Sequence, residues 1–187
     1  MSKIIFVIFI TTIFFGCSSE GDVQFINRTD YNIYFSLEDN EYQLAGQSEQ
    51  TVSVDIGTRI WPFSADYKSN IPLILEGETF MMQDSDGIFY KETTIVVQPE
   101  ETLNIFCDPT HASVKLVNNS NGEITNFYYT MAGSAEFHFL ESTEFIAIGD
   151  SIWRRLPSNR HYDFTVNGIF NCSDSLSVDE QLVIEWQ

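Results

Sequence analysis

The sequence predicts an all-β chain folded as two tandem β-sandwiches derived from an internal duplication. Three observations lead there. The first is composition: Phe, Tyr, Ile, Val and Thr are plentiful, aromatics reach 14% and apolar residues 43%. That excludes wholesale disorder and favours strands over helices. The second is patterning. Short alternating runs at 23–27, 31–37, 50–56, 71–76, 94–98 and 102–107 are separated by turn residues roughly every ten positions, the spacing of a sandwich or barrel. The third is that the second half of the chain repeats the first.

The repeat is read by laying the chain against itself. Val23-Gln24-Phe25-Ile26-Asn27-Arg28-Thr29 matches Val114-Lys115-Leu116-Val117-Asn118-Asn119-Ser120, each an alternating strand ending in an Asn-x-Ser/Thr turn. Asn32-Ile33-Tyr34-Phe35 has its counterpart in Asn126-Phe127-Tyr128-Tyr129. Ile56-Gly57-Thr58-Arg59-Ile60-Trp61 answers Ile148-Gly149-Asp150-Ser151-Ile152-Trp153 at an offset of 92, and Leu75-Glu76-Gly77 faces Val166-Asn167-Gly168. The closing strands, 97–105 and 176–184, match at an offset of 79, so the second copy is shorter by about a dozen residues. The missing piece corresponds to 81–93, where Asp86-Gly87 between apolar runs signals an extra hairpin in the first copy. The copies divide near Asp108-Pro109-Thr110-His111-Ala112, because proline cannot donate to a ladder.

Six or seven short strands per copy must close their apolar faces in a sandwich. The mature part resembles tandem immunoglobulin-like modules in architecture, without the Cys…Trp…Cys signature of true immunoglobulin domains. A single sandwich assembled from both copies is the competing arrangement.

The amino terminus has the layout of an export signal. Lys3 precedes twelve residues, Ile4 to Phe15, that are apolar except for Thr11 and Thr12, and Gly16-Cys17 closes them before Ser18-Ser19-Glu20-Gly21-Asp22. A spanning helix needs about 20 apolar residues, whereas a signal h-region needs about 7–15. Gly16-Cys17 resembles the lipobox of bacterial lipoproteins. That resemblance implies cleavage before Cys17, a diacylglyceryl group on its sulfur, and retention at a membrane. Ser18, rather than Asp, resembles lipoproteins sorted to the outer membrane, on its periplasmic or surface side. The expected organisation is a signal peptide over 1–16, a lipidated tether over 17–22, and sandwich repeats over 23–108 and 113–187.

Loss of residues 1–16 removes one base and no acid, taking the formal charge from −18 to −19. Such a charge repels nucleic acid and anionic headgroups, so nucleic acid is not an expected partner. The expected partners are membrane lipid through acylated Cys17 and an envelope protein or glycan.

Candidate sites are few. Trp61 and Trp153 read as packing residues at one repeat position, or as aromatic platforms for sugar rings. Arg154, Arg155 and Arg160 form a basic island in a loop over 153–161, and guanidinium forks suit carboxylate, sulfate or phosphate. The alternative for these arginines is a solvated loop neutralised by nearby acids. Asp84-Ser85-Asp86-Gly87 superficially resembles a calcium loop but lacks ligands in register, and reads as a hairpin turn. No zinc, phosphate-loop or nucleophile-elbow pattern is present, so no metal, cofactor or catalytic residue is expected. Cys107 and Cys172 could pair in an oxidising compartment, though their repeat positions differ and free thiols are the favoured reading. Together these features describe a non-catalytic exported lipoprotein that binds or scaffolds at the cell envelope. The rivals are glycan capture and a small hydrolase with a carboxylate pair.

Overall fold

Alternation decides the layers. In the computed structural model, which describes residues 17–59, 66–67, 70–99, 101–131 and 134–187, most inward strand positions are apolar and most outward ones are polar. The signal segment 1–16 and Trp61 lie outside the described residues. The first copy comprises β1 (Cys17–Asn27), β2 (Ile33–Leu37), β3 (Asn40–Leu44), β4 (Glu49–Arg59), β5 (Asp66–Tyr67), β6 (Ile71–Gly77), β7 (Met82–Gln83), β8 (Phe89–Tyr90), β9 (Glu92–Ile95) and β10 (Thr102–Cys107). The second comprises β11 (Ala112–Asn118), β12 (Phe127–Met131), β13 (Phe137–His138), β14 (Ser151–Leu156), β15 (Arg160–Val166), β16 (Ile169–Leu176) and β17 (Gln181–Trp186).

Both copies have the same topology. One sheet runs β10-β1-β4-β5 and faces β3-β2-β6-β9; in the second copy β14-β11-β17 faces β13-β12-β15-β16. In each, the first strand pairs parallel with the last and antiparallel with the fourth. No described sheet mixes strands of the two copies. Each copy also has its own core, which rules out the single composite sandwich. Phe25 stacks on Phe35 at 3.8 Å and Phe35 on Tyr42 at 4.8 Å in the first core; Phe127, Phe139 and Phe164 surround Tyr129 and Tyr162 in the second. The 81–93 insertion is the β7–β8 hairpin, turned at Gly87 with φ of 82°.

The Asn-x-Ser/Thr turn is the shared keystone. Asn27 Nδ2 donates to the carbonyls of Tyr31 (2.8 Å), Leu44 (3.3 Å) and Ala45 (2.9 Å), and its Oδ1 accepts from Thr29 N and Oγ1. Asn118 repeats this: Nδ2 to the Gly122 and Ile146 carbonyls, Oδ1 from Ser120 N and Oγ. Both are buried, and a buried amide is tolerable only when its donors and acceptors are matched in this way.

Two expectations are corrected. Residues 17–22 are not a free tether: Cys17 pairs with Arg59, Ser18 with Thr58 and Glu20 with Asp55, with a register shift between. The ladder binds backbone groups and is indifferent to the polar side chains that suggested a tether. The offset of 92 that matched Ile56-Gly57 to Ile148-Gly149 is not kept by the ladder; Trp61, which that offset set level with Trp153, lies outside the described residues. With Asn27 matched to Asn118, Gln24 opposite Thr51 corresponds to Lys115 opposite Trp153, so Thr51 holds the position of Trp153, at an offset of 102 rather than 92. The matching Ile-Gly pairs fall in different structures, since Ile56 is buried within β4 whereas Ile148 is exposed ahead of Gly149 at φ 84°.

Replacing Asn118 by Ala removes four hydrogen bonds and leaves buried carbonyls unpaired. This should cost about 3 kcal/mol. Urea unfolding should show it as a lowered midpoint, with the exposed neighbour Asn119→Ala within about 0.5 kcal/mol of the parent. Asn118→Asp, which sets a carboxylate against carbonyls, should be at least as damaging.

Candidate functional site

Residues 153–161 are a strand, a turn and the start of another strand, not one loop. Alternation along β14 therefore sends neighbouring side chains to opposite faces, and the three arginines part company.

Trp153 and Arg155 face the first copy. Arg155 donates to Glu76 Oε2 at 2.6 Å, to the Gly77 carbonyl at 2.7 Å and to the Phe80 carbonyl at 3.4 Å. Its side chain is 17% exposed and that of Glu76 29%. Tyr34 stacks on Trp153 at 5.8 Å with ring planes 7° apart, and the guanidinium of Arg155 lies 5.5 Å from the indole. Arg155 thus leaves the anion-binding set, and Trp153 is no open platform for a sugar. Both are part of a seam between the sandwiches.

The seam is polar and well paired. The carboxylate of Glu78, 5% exposed, accepts from Asn32 Nδ2 (3.1 Å), Tyr34 Oη (3.0 Å) and Gln181 Nε2 (2.6 Å). Asp179 accepts from Asp30 N at 3.0 Å and Thr79 Oγ1 at 2.6 Å, and Gln181 N donates to Tyr31 Oη. The linker is sewn in: Thr110 N and His111 N both donate to the Thr79 carbonyl, and the His111 carbonyl accepts from Asp179 N. Burial, and then the Glu78 carboxylate, push the Tyr34 hydroxyl above its ordinary pKa, keeping it a donor. Burial, and then the charge of Arg155, hold His111 below the usual histidine value. Its Nδ1 lies 2.8 Å from Thr110 Oγ1 and its ring meets the edge of Phe89.

Arg154 points the other way. Its guanidinium folds over the outer edge of β14, donating to the Trp153 carbonyl at 3.0 Å and the Phe139 carbonyl at 3.2 Å. There it borders a cleft of about 640 Å³ formed with Glu144, Phe145, Asp150 and Ser151. Arg160 is exposed at the start of β15, beside a separate recess of about 490 Å³ with Asn159 and His161. No one ligand meets all three arginines.

The cysteines are free. Cys107 closes β10 within the first core, its thiol pushed up to about 12 by burial and Asp108; Cys172, half-buried on β16, packs on the second core. The bridge is excluded because each sulfur belongs to a different core. Sequence reading overlooked one cluster: His161 Nδ1 lies 2.9 Å from Ser175 Oγ, and its Nε2 lies 3.8 Å from Asp163. The second distance is too long for a hydrogen bond that would orient the ring, and the groups are about half exposed. The spacing of the cluster, across β15 and β16, left no linear motif to find. Among the described residues no group of three or more His, Cys, Asp or Glu is placed to hold a metal, and no helix is long and apolar enough to cross a membrane.

Arg155→Ala should cost about 2–3 kcal/mol, because it strands the Glu76 carboxylate and two carbonyls at the seam. Limited proteolysis near 108–111 should quicken, and Arg155→Lys should restore only part of the protection, since an ammonium cannot fork. The seam should also weaken in acid. The unfolded chain accepts a proton on His111 near pH 6.5 that the folded chain declines. Its contribution is therefore full above that pH and falls as pH drops through the window down to the lowered folded value. Comparing the pH 7.5–5.5 stability slopes of the parent and His111→Gln chains checks this: the variant should be flatter.

No family model and no curated protein matches the chain. Among solved structures it is similar to the Bacillus anthracis TIE protein, at 12% identity over 90% of this chain and 34% of that one, with a TM-score of 0.31. It is also similar to a DUF3823 family protein from Bacteroides ovatus (9% identity, 85% and 97% covered, TM-score 0.30). A third likeness is to the Streptococcal ancillary pilin (10% identity, 89% and 67% covered, TM-score 0.31). The chain thus spans 34% of the length of the TIE protein.

Proposed function

We propose that this chain is an exported lipoprotein, anchored in the bacterial outer membrane through acylated Cys17, that serves as a non-catalytic binding or scaffold module. The observation that carries the reading is the twelve-residue apolar run closing at Gly16-Cys17, immediately before the first strand. Cys17 is also the first residue of β1, so an acyl anchor there would hold the first sandwich at the lipid surface with no slack chain between. The second sandwich docks beyond the opposite end of β1, against residues 28–34 and 76–80. A paired seam of this kind would hold it outward, away from the membrane. A formal charge of −19 on the mature chain keeps such a module soluble and apart from anionic headgroups.

Of the two tryptophans behind the glycan alternative, Trp153 is stacked on Tyr34 within the seam and Trp61 lies outside the described residues. The hydrolase alternative gains none from the exposed Ser175, His161 and Asp163.

Expression in a bacterium with labelled palmitate should place label and membrane retention on the parent chain. Cys17→Ser should lose both and appear in the soluble fraction. An unlabelled parent that fractionates like the variant would overturn the reading.

A further inference from the structure

We propose that the outer edge of β14 is a strand-addition site for an extended, lysine-rich segment of a partner protein. The proposal rests on the binding-module reading and names the place and chemistry of binding.

β14 is the edge strand of β14-β11-β17, whereas the corresponding sheet of the first copy continues past β4 into β5. The ladder shows which backbone groups are free. Asn118 N donates to the Asp150 carbonyl, and antiparallel pairs alternate between bonded and unbonded. Leu116–Ile152, Val114–Arg154 and Ala112–Leu156 are therefore the bonded pairs. The main-chain groups of Ser151, Trp153 and Arg155 consequently face away from β11, towards the outer edge of the sheet. Among the described residues, one of them has a partner: the Trp153 carbonyl, covered by the guanidinium of Arg154.

Two recesses run along this edge. The cleft of about 640 Å³ lies towards the 139–150 segment, and another of about 380 Å³ continues past Trp153 to Glu76. A strand lying there would exchange main-chain hydrogen bonds at alternate residues, the means by which peptides join sheet edges. Charge selects the occupant. Glu144 and Asp150 border the cleft without a cationic partner among the described residues. Arg155 is neutralised by Glu76, and the whole chain carries −18. A basic strand is drawn in, and an acidic one, including a second copy of this chain, is repelled. Arg154 then acts as an edge guard, a basic side chain closing an otherwise open strand.

The test uses the full-length chain in detergent, titrated calorimetrically with a capped peptide of about eight residues alternating lysine and valine, long enough to span β14. Binding is expected, and methylating the peptide's main-chain nitrogens at alternate positions should weaken it about tenfold. Ser151→Pro removes an outward donor without touching the ladder or the seam. It should weaken binding several-fold while leaving the thermal midpoint within a few degrees. Arg154→Ala should strengthen binding several-fold by freeing the Trp153 carbonyl, the reverse of what an anion site would show. The proposal is overturned if the peptide fails to bind, or if the methylated or glutamate-for-lysine peptide binds equally well. Equal binding by Ser151→Pro, or a peptide-free chain already dimeric through this edge, would overturn it too. None of these results bears on acylation of Cys17, so the anchoring reading stands or falls separately.

Discussion

A guanidinium held between two sandwiches organises this molecule. Arg155 reaches from β14 into the end of the first copy and meets one carboxylate and two carbonyls there. Removing a charge pair from water is costly, and the cost is offset only when every remaining donor and acceptor is matched. The seam meets that demand with a shell of neutral and charged partners: Glu78 among three donors, Asp179 between two, and a linker bonded on both sides. So many directional bonds tie the two sandwiches in a specific docking geometry.

The duplication supplied the fold twice but the seam once. The Asn27 and Asn118 turns are chemically the same, because closing the end of the first strand poses the same problem in each copy. Seam residues have no such counterparts. By ladder register, Thr165 and Asn167 stand where the first copy has Glu76 and Glu78, and Ser53 stands where the second has Arg155. The far end of the second sandwich therefore lacks the acids that would hold a third module in the same way. The chain ahead of β14 is longer than the corresponding stretch before β4 and forms the cleft, while the first copy carries the β7–β8 hairpin.

Much of the fold was legible in the sequence, because the signals are local. Alternation at Ile33, Phe35 and Leu37 marks an inward face; Asp86-Gly87 marks a hairpin; Asn-x-Ser/Thr marks the end of a first strand. The closing strands even kept their offset, since Leu103 and Leu182 sit opposite the equivalent Val23 and Val114. The candidate site was far less legible. Three arginines close in sequence read as one island, yet a strand's two-residue period separates Arg154 from Arg155, and a turn carries Arg160 to another sheet.

The sequence by itself determined an all-β chain of two like units, their strands and turns, a strongly acidic net charge and an apolar run closing at Gly16-Cys17. Each of these follows from composition or from neighbours a few residues apart. Tertiary structure decided the register that sets Trp153 at the place of Thr51, and the inclusion of residues 17–22 in a strand. It also decided the pairing of Arg155 with an acid 79 positions away. Ladders bind backbone, which looks alike at every residue, so a matching string of side chains cannot specify register. A part-buried guanidinium is placed by the groups that surround it in space, and only the docked pair of sandwiches brings those groups together.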